Sequence, residues 1–266
     1  MKVIRFRVVK LLLKKDFGSI AEFPRLELII LPTLLIFVVL SQIIAWGWGI
    51  DSIAERPLIL VQAIIDASRL VFTYPVVIVF IPVIIADIVT NEYERGTMLM
   101  LVSYPTKRSE ILVSKFVSVL SISWTVIFSV SLAGILIVYR NHAMLPPPIL
   151  ILALFTSTGI LCFLVCSVST LISVIASHTA VAAMGSLTVL LLWPMIINVF
   201  SWQLKLPDIM AFSYTGIVPE LIELLTLNLG QPSALPTSLV LVIAQFSLAS
   251  FFLFLSHVAL NRREFK

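Results

Sequence analysis

Charge is scarce in this chain. Only 12% of its 266 residues are Asp, Glu, Lys or Arg, against about 25% in ordinary soluble domains. Apolar residues make up 60%. No water-soluble fold of this length hides that much apolar surface, so lipid must solvate most of it. Cysteine is nearly absent. Cys162 and Cys166 share an apolar run, and a helix would give them diverging Cβ directions unsuited to a disulfide. Both read as small packing residues. His142, His178 and His257 fall in or beside three separate turns or span ends, which argues against a shared metal or catalytic site. A Gly-x-x-x-x-Gly-Lys-Ser/Thr phosphate loop is missing. So is any nucleophile–base arrangement above chance. With no internal repeat and no soluble portion, residues 1–266 read as a single transmembrane domain.

What the chain has in abundance is long apolar runs. Windows of about 20 apolar residues predict six spans: Leu26–Trp46, Leu70–Thr90, Ile111–Tyr139, Ile149–Ala176, Val181–Phe200 and Ser238–Leu260. The second span has room to begin earlier, because Leu58–Ile65 is also apolar. Pro75 and Pro82 predict a bend in it. The fold class expected is therefore all-α and integral to the membrane.

Basic residues set the orientation. With a cytoplasmic N-terminus, 14 of the 18 Lys and Arg fall inside and only Arg56, Arg69, Arg140 and Lys205 outside. The positive-inside rule then places both termini in the cytoplasm of a multi-pass cell-membrane protein. Residues 1–25 carry Lys2, Arg5, Arg7, Lys10, Lys14 and Lys15. These interrupt each short apolar stretch, so a cleavable leader is not expected. Ile4, Val8, Leu11 and Leu12 share a helical face there, predicting an amphipathic surface helix. On the outer side, residues 201–237 form a long connection. Within it Ile217–Leu229 predicts a short helix, re-entrant in character, with Pro219, Glu220 and Glu223 at its start.

One polar island stands between the second and third spans, from Asn91 to Lys115. Glu92, Glu94, Arg95, Lys107, Arg108, Glu110 and Lys115 surround the apolar run Met98–Val102. A loop that only reversed the chain in water would not need that apolar centre. A charged rim around an apolar core suits a segment at the membrane surface that offers a face to a partner. Gly96 frees the backbone at an element boundary, and Thr97 suits a cap. Met98 opens an adaptable apolar contact. Pro105 ends the run, and Glu110 falls in the first turn of the next helix. Lys107 and Arg108 equally suit lipid headgroups.

The wording Glu92-x-Glu94-x-Gly96-Thr97, then Tyr104-Pro105, Arg108, Glu110 and Lys115, resembles the type-2 ABC exporter permeases. The layout is similar too: basic surface helix, six spans, an island after the second and a long outer segment after the fifth. Gly-Thr-Met-Leu and Ser-Tyr-Pro look most like the branch that serves copper-centre maturation of nitrous oxide reductase. The resemblance implies a membrane subunit that is not itself an enzyme. Its partners would be a cytoplasmic ABC ATPase dimer, which binds the ATP and Mg, a second permease copy or homologue, and lipid, but not nucleic acid. This chain would hold no cofactor of its own. Residues 91–110 would be the coupling segment, with Glu92, Glu94, Gly96, Thr97, Met98, Tyr104, Pro105, Arg108, Glu110 and Lys115 serving the ATPase contact.

Asp87 lies about one turn before the island and is a candidate gate or relay. Two other classes compete. An intramembrane hydrolase or lipid-linked transferase would gather His, carboxylate or Ser groups at one depth, whereas here they scatter. A self-sufficient secondary carrier would show internal pseudo-repeats and charged or broken helices at mid-membrane, and only the Pro-rich second span fits. The Ser and Thr of the third and fourth spans point to close helix packing rather than to a polar path.

Overall fold

The computed structural model describes residues 76–94, 108–141, 145–204 and 234–262, with Gly18, Leu35, Val39, Val61, Ile64, Leu221 and Ile222 as isolated positions. Among the described residues there are helices and no strands. Helix α1 is Val76–Ile85, followed by a π segment Ala86–Thr90 and a short helix α2, Asn91–Glu94. Then come α3 (Arg108–Asn141), α4 (Pro148–Ile175), α5 (Thr179–Leu204) and α6 (Ala234–Arg262). Among the described residues, four stretches are long and apolar enough to cross a membrane: Arg108–Arg140, Pro148–Ile175, Thr179–Gln203 and Val240–Arg262. They coincide with the expected third to sixth spans. Of the first span, Leu35 and Val39 are helical and exposed. The rest of it, the basic surface helix apart from helical Gly18, and most of the outer helix lie outside the described residues.

α4 is the hub, since α1, α3, α5 and α6 all pack against it. Its sequence explains why. Ser157, Thr158, Cys162, Cys166, Ser167, Ser169, Thr170 and Ser173 are all buried. Small side chains let neighbouring backbones approach closely where lipid supplies no hydrophobic drive. Many of the hydroxyls bond within their own helix. Thr158 Oγ1 donates to the Leu154 carbonyl at 2.7 Å, and Ser167 and Thr170 donate to Phe163 and Cys166 at the same distance. Both cysteines are free and buried in this interface.

Aromatic rings complete the packing. Phe116 of α3 meets Phe163 of α4 edge-on at 5.6 Å, and Phe163 stacks on Phe246 of α6 at 5.0 Å. Trp124 lies 4.5 Å from Phe155 and donates its indole N–H to the Phe155 carbonyl at 3.2 Å. Val61 and Ile64 are helical and join the same core, as the apolar run at 58–65 suggested, and Leu221 and Ile222 of the outer segment join it too. On the opposite side the bundle turns apolar residues outward. Met184, Leu191, Met195 and Val199 of α5 and Val240, Ile243 and Phe254 of α6 are exposed. Such a surface is insoluble in water and belongs in a bilayer.

Some boundaries depart from the sequence reading. The helical rod of the second span continues through Glu94 into the expected coupling segment at 91–110, because helix formation does not stop where hydropathy does. α3 begins at Arg108 with Glu110 in its first turn, as expected, whereas α6 begins at Ala234, ahead of the expected Ser238. α5 likewise runs through Leu204, past the expected end at Phe200. In the second span the proline interruption includes a π segment four residues after Pro82, where the Asn91 N–H reaches back five residues to the Ala86 carbonyl.

Candidate functional site at the charged helix ends

The charges of the island flank converge on one end of the bundle. Lys115, in the second turn of α3, is 3% exposed. Its Nζ donates to the Ile88 carbonyl at 2.9 Å and pairs with Glu92 Oε2 at 2.7 Å. A π segment loosens the backbone ladder and so offers a carbonyl to a side-chain donor. An ammonium this deep needs both partners, since an unpaired buried charge costs several kcal/mol. Beside it Thr90, fully buried, donates its hydroxyl at 3.0 Å to the Ser173 carbonyl in the last turn of α4. That carbonyl is one of the four a helix end leaves without an intrahelical donor.

Glu94, the last described residue of the rod, caps α5. Its Oε2 accepts from the Thr179 backbone N–H at 3.1 Å and from the Thr179 hydroxyl at 2.7 Å. Its Oε1 lies 3.5 Å from His178 Nδ1, an ion pair whenever the imidazole is protonated. The first turn of α5 has no acidic residue of its own. The carboxylate that satisfies its orphan donors and its positive dipole end therefore comes from 85 residues away. The Thr179 hydroxyl, then the Thr179 amide, hold the Glu94 carboxyl below the usual carboxylate range, with His178 adding in the same direction.

Arg108 does the converse at the start of α3. Its guanidinium donates to the Leu260 and Asn261 carbonyls at 3.4 and 3.3 Å, at the C-terminal end of α6 where positive charge is favoured. Glu110 is 1% exposed in the first turn of α3. Asp87 sits on the π segment, half-buried, and accepts from the Asn91 amide at 2.8 Å.

Of the residues expected at a partner contact, Glu92, Glu94, Arg108, Glu110 and Lys115 are thus placed. Gly96, Thr97, Met98, Tyr104 and Pro105 lie outside the described residues. The structure brings Glu92 and Lys115 together, whereas Glu94 and Arg108 grip two different helices. Sequence reasoning missed Thr90, Ser173 and Thr179. The one readable signal was at Thr179, a helix start with no local acid. Among the described residues no cluster of His, Cys, Asp or Glu is arranged to hold a metal ion.

No curated protein matches the chain. The family described as ABC-2 family transporter protein matches residues 33–256, which takes in α1 to α5 and all of α6 up to Ser256. With that match over most of its length, and with apolar helices fit to cross a bilayer, the chain belongs to the ABC-2 family of transporter proteins and is a multi-pass membrane component of transport.

Proposed function

We propose that this chain is the permease subunit of an ATP-driven exporter. Two permease copies, or one copy with a homologue, form the translocation path. Separate cytoplasmic ABC ATPase subunits bind ATP and Mg and drive it. Both termini and residues 91–110 face the cytoplasm, and the stretch between Glu94 and Arg108 seats on the ATPase as a coupling helix.

One observation carries this reading. The stretch joins two helices of the bundle, and at each end it meets a residue bonded to yet another helix: Glu94 to α5 and Arg108 to α6. A partner can bias a conformational equilibrium only through contacts that differ between two states. A short segment rooted in four helices is suited to pass on such a bias. The sequence supplies no phosphate loop, so the energy of active transport must enter from another subunit. Asp87 fits this scheme as a gate or relay, because it lies on the π segment between the membrane-embedded helix and the docking stretch. The direction of transport follows the sequence resemblance to exporters.

The test is co-purification with a cognate ABC ATPase. Gly96→Leu combined with Met98→Glu removes backbone freedom and places a charge in the apolar centre of the stretch. The variant is expected to insert and fold like the parent while losing the ATPase. Undiminished co-purification would show an ordinary loop and contradict the proposal.

A further inference from the structure

We infer that Glu94 is a positioning residue that couples the 95–107 stretch to α5, rather than a contact for the ATPase. The inference rests on the permease reading above and assigns the route by which a docked partner moves the bundle. Glu94 is the last described residue of the α1–π–α2 rod before the stretch. Its carboxylate already accepts from both Thr179 donors and faces His178, so it is engaged within the chain. Oε2 holds the first turn of α5 through both Thr179 donors, and Oε1 faces His178, the residue before that turn.

α5 is the helix best placed to respond. It is the least buried of the four long helices, and its outer half turns Met184, Leu191, Met195 and Val199 away from the bundle. Elements with few buried contacts move at the smallest free-energy cost. The other tethers differ in kind. Lys115 binds the π segment and Glu92, closing α3 on the rod itself. Arg108 reaches the tail end of α6 at longer distances than those of Glu94 to Thr179. Glu94 therefore supplies the short, charge-assisted connection from the stretch to a loosely held span.

The experiment uses the full-length permease with its ATPase in nanodiscs, comparing Glu94→Ala, Thr179→Val and Thr179→Ser. All three are expected to retain the ATPase on co-purification. Permease-dependent stimulation of ATP hydrolysis should fall about tenfold in Glu94→Ala, as for one lost charge-assisted contact. It should fall in the same direction in Thr179→Val, which keeps the shape but not the hydroxyl. The fall should be in kcat, with KM for ATP unchanged. Thr179→Ser, which restores the hydroxyl, should match the parent. Loss of the ATPase in Glu94→Ala but not in Thr179→Val would make Glu94 a docking contact and overturn the inference. Full stimulation in both variants would overturn it too, while leaving the permease reading intact. A parent protein that neither retains nor stimulates the ATPase would instead sink the permease reading itself.

Discussion

Lys115 and Glu92 form a deeply placed ion pair at the charged end, 2.7 Å apart, with side chains 4% and 17% exposed. The pair joins α3 to the end of the rod that precedes it, and the Ile88 carbonyl takes a second ammonium hydrogen at 2.9 Å. Removing one partner takes the ion pair from the other in a site water scarcely reaches. Lys115→Met is therefore expected to lower stability by roughly 3 kcal/mol, and pairing it with Glu92→Gln should recover a good part of that loss. Thermal unfolding in detergent reads the ranking. A double variant no more stable than the single one would show that the pair does not act as a unit.

A second expectation concerns the packing of α3 on α4. A Cβ at Gly159 would stand 3.1 Å from the Trp124 ring. Gly159→Leu must drive that indole away and break its bond to the Phe155 carbonyl, costing about 1–3 kcal/mol by overpacking. Trp124 fluorescence should shift and the melting temperature drop. An unchanged spectrum and melting point would mean that the interface has slack the geometry does not show.

The third concerns acid. Because Thr179 lowers the Glu94 pKa, the cap contributes fully above the ordinary carboxylate pKa of about 4.3. It is lost as pH falls below that through the lowered folded value. Exchange of the first-turn amides of α5 should be insensitive to this cap between pH 5 and 8, on the intrinsic rate scale, and should rise in more acid solution. Glu94→Ala should show the faster exchange at neutral pH, with the difference closing in acid as the parent loses the cap. Equal protection in parent and variant at neutral pH would refute the cap.

Orientation can be tested directly. Single cysteines at Arg56, Lys205 and Gln231 should react with an impermeant reagent applied to intact cells, and those at Lys107 and Arg262 should not. Labelling at Lys107 would reverse the topology and remove the coupling stretch from the cytoplasm.

The four long helices were legible because their apolar windows exceed the bilayer thickness and are bounded by charge or proline. Ile149–Ala176 as read from hydropathy became Pro148–Ile175 in space. The small residues of that span also showed their role, since Ser and Thr there serve close packing and bond within the helix. The charged end was legible as a place but not as a circuit. Charges in the island read as groups awaiting a partner, because sequence separation hides Thr179 from Glu94 and Leu260 from Arg108. The π segment was illegible for another reason. Pro82 announces an interruption in the ladder, but neighbouring helices decide where the extra residue is absorbed.

The central claim is that the stretch between Glu94 and Arg108 seats on an ATPase, and site-specific photo-crosslinking addresses it most directly. A photoreactive residue replacing Met98 in the full-length chain, irradiated in membranes that contain the ABC ATPase, should yield a permease–ATPase adduct. The same residue replacing Lys205, which the positive-inside reading puts on the opposite face, should yield none. An adduct from position 205, or no adduct from position 98 while the two proteins remain associated, would contradict the account.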